Sequence, residues 1–249
     1  MECFQYARNA YGPIEDFTGL TNLSKIDSIP GSGQDAVCYC GETETSLVFA
    51  FRGTDSVSDM FIDIQIYRDR TPSEMQVNEG YIHRGFHLQY QSIRSAIVEK
   101  IASTTKPLIF TGHSLGGALA TLFALSAKVE NPSRHVTCVT FGSPKVGNAA
   151  FVKAFEKVDV SSRVVNNHDG VTYRPTFGYA HVKNLKAISN ASVENTVFTY
   201  IFGSSRDHSL TSYYKSLTEP GKPHDNMPLT ILLVVIAGVI IAVRLYRRR

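Results

Sequence analysis

At 249 residues, 43% hydrophobic and 19% charged, the chain has the balance of a globular protein with ample apolar material for a core. That composition excludes wholesale disorder, collagen-like sequence and a multi-span membrane protein. The formal charge is +3, but Arg244, Arg247, Arg248 and Arg249 all fall at the C-terminal end, so the body is near neutral and has no electrostatic footprint for nucleic acid.

The N-terminal stretch MECFQYARNAYGPIEDF lacks the uninterrupted apolar run of a secretory signal. Strands are predicted at Ala36–Cys40 and Ser46–Phe51. The four cysteines (Cys3, Cys38, Cys40, Cys138) are too scattered for a disulfide framework. Cys38 and Cys40 read as small core residues of the first strand, since no second pair exists to complete a zinc site. Phe86, Tyr90, Ile93, Ile97 and Ile101 recur at steps of three and four and predict one apolar helix face. Further strands are predicted at Leu108–Thr111, Val136–Phe141, Arg163–Asn166 and Val182–Ile188. Strands alternating with helices predict an α/β domain.

The chemistry centres on Gly112-His113-Ser114-Leu115-Gly116, between the strand Leu108–Thr111 and a strongly helical run from Gly116. This matches G-x-S-x-G, the turn that lifts a serine nucleophile above a sheet. A strand that turns abruptly into a helix crowds the positions two before and two after the turn, which is why both are glycine. The turn presents the Ser114 hydroxyl at a helix N-terminus, where the dipole and free N–H groups favour negative charge. A five-residue match alone is common; here the strand, turn and helix that it requires are all predicted.

A serine nucleophile needs a base and an orienting acid, which in this fold follow it along the chain. The downstream histidines are His135, His168, His181, His208 and His224. His224 falls in a linker and His135 opens a strand. His208, in SSRDHSLTSYY, enters a final helix-like segment from which a base can reach over the sheet. Asp169 directly follows the strand Arg163–Asn166, at the strand edge where α/β sites gather. Asp159 reads as a solvated turn. Asp207, adjacent to His208, is poorly placed to hold its ring.

The C-terminal part is different in kind. Leu229 to Val243 carries no charge and is followed by RLYRRR, while Glu219 to Pro228 is rich in proline and polar residues. The expected organisation is an α/β domain over residues 1–217, a linker over 218–228, a single-pass membrane helix over 229–246 and a basic tail over 247–249. With no N-terminal signal, this anchor leaves the domain facing the cytosol, on the endoplasmic reticulum or outer mitochondrial membrane of a eukaryotic cell. The alternative for the same segment is a buried core helix.

The blocks AFRGTDS (Ala50–Ser56), HRGFHLQY (His83–Tyr90), FTGHSLGGALATL (Phe110–Leu122), FGSPKVGN (Phe141–Asn148), NNHDGV (Asn166–Val171), GYAHV (Gly178–Val182) and DHSLTSYY (Asp207–Tyr214) resemble the class 3 lipase family of α/β-hydrolases, relatives of the fungal triacylglycerol lipases. The resemblance implies an α/β-hydrolase fold with a mostly parallel central sheet. It implies Ser114 as nucleophile, Asp169 as orienting acid and His208 as general base. Thr54 matches the oxyanion-hole position, with the Leu115 backbone N–H as second donor. The lid of the family would fall near Ser58, Asp59, Met60, Phe61 and Ile62; the alternative for that stretch is an ordinary amphipathic helix.

The chain departs from the pattern in two places. It has no tryptophan for the lid. It also has Gly170-Val171-Thr172 after the acid, where the family has a proline-containing stretch, so a looser loop is expected. The implied reaction is hydrolysis of lipid carboxylic esters, acylglycerols or phospholipids, without metal or organic cofactor. Two readings compete with it: an esterase for soluble esters using the same triad, and a catalytically silent α/β-hydrolase that binds lipid or protein.

Overall fold

The computed structural model describes residues 1–54, 67–166, 169–189 and 206–219. The expected lid residues (Ser58, Asp59, Met60, Phe61, Ile62) and the expected membrane helix over 229–246 lie outside these. Among the described residues, no helix is long and apolar enough to cross a membrane.

Seven strands form one sheet: β1 (Thr21–Asp27), β2 (Val37–Glu42), β3 (Leu47–Phe51), β6 (Leu108–His113), β7 (Val136–Phe141), β8 (Val160–Asn166) and β9 (Leu185–Ile188), in that spatial order. β1, β2 and β3 pair antiparallel; from β3 through β9 every pairing is parallel. The mostly parallel sheet is therefore as expected. A short antiparallel pair, β4 (Arg68–Arg70) and β5 (Tyr81–His83), stands apart from it.

The strands separate two apolar layers because their side chains alternate. On β3, Leu47, Phe49 and Phe51 face one core while Val48 and Ala50 face another; on β2, Cys38 and Cys40 face the first, Val37 and Tyr39 the second. The first layer is covered by α2 (Arg84–Ala102), α3 (Leu115–Glu130) and α4 (Ala149–Phe155), which contribute Ile93, Leu119, Phe123 and Phe151. Phe49 stacks on Phe110 at 5.1 Å and Phe51 on Phe123 at 5.2 Å, tying β3 to β6 and to α3. The second side is covered by α1 (Glu2–Asn9) and α5 (Leu210–Thr218), through Phe4, Ala7 and Tyr213 against Phe141 and Val164.

Cys38 and Cys40 are free thiols in the core, as expected, and so is Cys138. Asp159 lies exposed in the turn before β8, as expected, and also makes two contacts. Its carboxylate accepts from the Val136 N–H at 2.8 Å and pairs with Lys128 Nζ at 2.8 Å, so it clamps the end of α3 to the start of β7.

Candidate active site

Ser114 sits between β6 and α3 with φ 61° and ψ −128°, a conformation that costs a non-glycine residue ~1–3 kcal/mol. The strain is held from several sides. The Ser114 N–H donates to the Phe141 carbonyl at 2.9 Å, and the Gly117 N–H donates to the Ser114 carbonyl at 2.9 Å. A Cβ on Gly112 would collide with the Gly116 backbone, and one on Gly116 with the Phe51 carbonyl. The two glycines therefore let β6, β3 and α3 close around the serine. Ser114 itself is only 2% exposed.

Asp169 follows β8 and His208 precedes α5, and both are fully buried. His208 Nδ1 lies 2.9 Å from each Asp169 carboxylate oxygen. An ionised carboxylate only accepts, so Nδ1 carries the proton of that contact and Nε2 is the ring's basic nitrogen. His208 Nε2 is buried and has no hydrogen-bond partner among the described residues. A neutral imidazole in this state can take a proton from a nearby hydroxyl.

Two further donors hold the acid. Tyr213 Oη donates to Asp169 Oδ2 at 2.7 Å, and the Val171 N–H donates to Oδ1 at 3.0 Å. Burial, and then the neighbouring Asp169, push the Tyr213 phenol well above its ordinary range, so it stays a donor. The phenol oxygen also accepts from the Asn166 N–H at 3.1 Å. Glycine at 170 does not leave the loop loose, contrary to expectation. Residues Gly170–Tyr173 form a tight turn that Thr172 Oγ1 ties to the Asp169 carbonyl at 2.7 Å. His181 Nε2 then fixes the Thr172 carbonyl at 2.5 Å.

Behind the pair stands His113. Its Nε2 faces the His208 carbonyl at 2.7 Å and its Nδ1 faces Tyr11 Oη at 2.9 Å. A carbonyl only accepts, so the proton is on Nε2 and Tyr11 donates to Nδ1. Burial, and then His208, hold His113 well below the usual imidazole range, which keeps it neutral.

Of the remaining expected residues, Thr54 is partly buried just beyond β3. The Cβ position of its neighbour Gly53 is 3.2 Å from Ser114 Cβ, so the chain at Thr54 passes beside the serine. Leu115 is the first residue of α3, where helical N–H groups have no intrahelical acceptor, and its side chain packs on the core. Asp207 is buried next to His208, but the carboxylate on the ring belongs to Asp169. His135 is exposed just before β7, 3.9 Å from Asp159. Among the described residues, no cluster of three or more His, Cys, Asp or Glu side chains could hold a metal ion.

Sequence reasoning missed Tyr213, Tyr11, the role of His113, and Gly142. A Cβ on Gly142 (φ +59°) would lie 2.7 Å from Asp169 Oδ2 and 3.0 Å from the His208 ring. For Tyr213 a signal existed: Leu210, Tyr213 and Leu217 form one inward face of the last helix. Tyr11 offered none, because its partner is 102 residues away.

The family model for class 3 lipases matches residues 48–179, just over half of the chain. A lipase of Rhizomucor miehei is 28% identical over 171 residues, covering 64% of this chain and 46% of the relative; a lipase of Rhizopus niveus is 30% identical over 152 residues, covering 56% and 38%. The chain thus spans about half or less of these relatives' length. The solved structure of the Rhizomucor miehei triacylglyceride lipase superposes with a TM-score of 0.70 at 20% identity, covering 83% of this chain and 90% of that one. That likeness establishes the α/β-hydrolase fold.

Proposed function

The chain belongs to the class 3 lipase family, and we propose that it hydrolyses carboxylic esters of lipids with Ser114 as nucleophile, His208 as base and Asp169 as orienting acid. One observation carries the reading: a buried imidazole holds Nδ1 on a carboxylate at 2.9 Å and leaves Nε2 unpartnered, in a fold whose strained turn presents Ser114.

In this reading His208 Nε2 takes the Ser114 proton as the oxygen attacks the ester carbonyl. The Asp169 carboxylate stabilises the imidazolium. Thr54 Oγ1 and the Leu115 N–H receive the negative charge that develops on the carbonyl oxygen. The bond to the alcohol breaks as His208 returns the proton to it, leaving an acyl group on Ser114. Water, deprotonated by His208, then releases the fatty acid and restores the serine. The substrates are acylglycerol or phospholipid esters. We assign the apolar run Leu229–Val243 to membrane anchoring, from its composition alone.

The test is hydrolysis of dissolved and emulsified esters by the full chain and by Ser114→Ala. The reading requires activity in the parent and its loss in the variant. Substantial activity in Ser114→Ala would overturn the nucleophile assignment. Carbonate extraction tests the anchor: recovery in the supernatant would refute it.

A further inference from the structure

Beside the site the surface changes character. The loop that leaves the Asp169 turn exposes Phe177 at 80% and Tyr173 at 43%, and the start of β4 exposes Tyr67 at 63%. A phenylalanine exposed to that degree at a loop tip forfeits its transfer free energy unless something covers it. The three rings belong to one region. Tyr179 Oη donates to the Tyr67 carbonyl at 2.9 Å, and the Cβ position of Gly178 lies 2.7 Å from the Arg68 guanidinium. Lys145 Nζ donates to the Tyr173 carbonyl at 3.1 Å, which brings the loop after β7 to the same edge.

Basic charge predominates among these rings. Arg68 and Arg70 are exposed, both near the Tyr81 ring at 6.0 and 5.7 Å, and Lys145 and Arg174 stand at the other flank. Asp69 is the only acid within these segments, and it is occupied by His87 at 2.9 Å and Arg84 at 3.5 Å. Exposed aromatics interleaved with arginines, on a body otherwise near neutral, are what an anionic lipid surface recognises: rings enter the headgroup layer while guanidinium groups stay with the phosphates.

We propose that the edge formed by Phe177, Tyr173, Tyr67, Arg68 and Arg70 docks the domain on anionic phospholipid, with Phe177 inserted. The inference rests on the reading of the site as a lipid-ester hydrolase and names the surface on which that site works. Asp169 caps the turn from which the loop emerges, so this edge is continuous along the chain with the proposed site.

The chain has no tryptophan, so Phe177→Trp places a single indole at the loop tip of the full-length protein. Its emission is read on vesicles of phosphatidylcholine alone and of phosphatidylcholine mixed with phosphatidylglycerol. Because the indole reports its own surroundings, attachment through residues 229–246 does not mask the result. The proposal expects a blue shift, and quenching by brominated lipid, on the mixed vesicles and little on phosphatidylcholine. Adding Arg68→Glu and Arg70→Glu should weaken the response on the order of tenfold or more, and high salt should weaken it likewise. Hydrolysis of a dissolved ester should be unchanged in every variant. No shift, an equal shift on both vesicles, or a shift that follows protein concentration without vesicles would overturn docking. Absence of dissolved-ester hydrolysis in the parent would instead overturn the proposed reaction, and the fluorescence would still decide the surface.

Discussion

His113 Nε2 donates to the backbone carbonyl of His208 at 2.7 Å, so the residue before Ser114 holds the backbone of the proposed base. Tyr11 completes the link by donating to His113 Nδ1 at 2.9 Å. The N-terminal segment, the turn at the serine and the loop before α5 are thereby locked together. The ring of His208 is positioned twice, once through its own Nδ1 and once through its backbone.

His113→Ala should leave the His208 carbonyl buried without a donor, at a cost of about 1–3 kcal/mol of stability. It should also lower kcat about tenfold or more with little change in KM, because the base loses its alignment rather than the substrate its contacts. Tyr11→Phe should show the same split at smaller size. Steady-state kinetics with urea unfolding checks both; a stability loss with unchanged kcat would reduce the link to a structural one.

Tyr213→Phe removes a donor from Asp169 and an acceptor from the Asn166 N–H, both buried. We expect a stability loss of about 1–3 kcal/mol and a fall in kcat, since the carboxylate is then held less firmly against the imidazole. Unfolding midpoints and kcat measured on the same preparation test this. A variant as stable and as active as the parent would contradict it.

The parallel core of the sheet could be read in the sequence because its strands are continuous apolar runs. Leu108–His113 is buried on both faces apart from Ile109, and Val136–Phe141 on one face and partly on the other, so pattern alone marks them. β1 could not be read: Thr21–Asp27 is an edge strand with mostly exposed side chains, formed by pairing with β2 rather than by its own composition. α4 is too short to show a period, and β4 and β5 too short to show alternation. The proposed triad positions could be picked out because a serine turn, a strand-end acid and a later histidine each have local marks. The links through Tyr11, His113 and Tyr213 were not, since each is a contact between distant segments.

His113 and His181 are both held below the usual imidazole range, chiefly by burial, His181 to about 3. The folded protein keeps them neutral where the unfolded chain binds a proton. Their contribution is therefore intact above the unfolded value of about 6.5 and drains as pH falls. Each costs about 1.4 kcal/mol per pH unit below that value, for His181 down to about pH 3. Urea midpoints should thus fall steadily from about pH 7 to about pH 5, and His181→Gln should flatten the slope. A midpoint independent of pH in this window would contradict the burial of neutral rings.

Thr54→Val keeps the shape and the backbone N–H but removes the hydroxyl assigned to the oxyanion. A fall in kcat of roughly a hundredfold, with KM little moved, is expected. An unchanged kcat would assign the stabilisation to the backbone or to another donor.

The central claim, that Ser114 is a nucleophile activated by His208, is tested most directly by a fluorophosphonate probe on the full-length folded chain, with the adduct mapped by peptide mass. Labelling should fall on Ser114, disappear in Ser114→Ala and slow strongly in His208→Ala. A folded parent that takes no label, or a label that persists elsewhere in Ser114→Ala, would contradict the account.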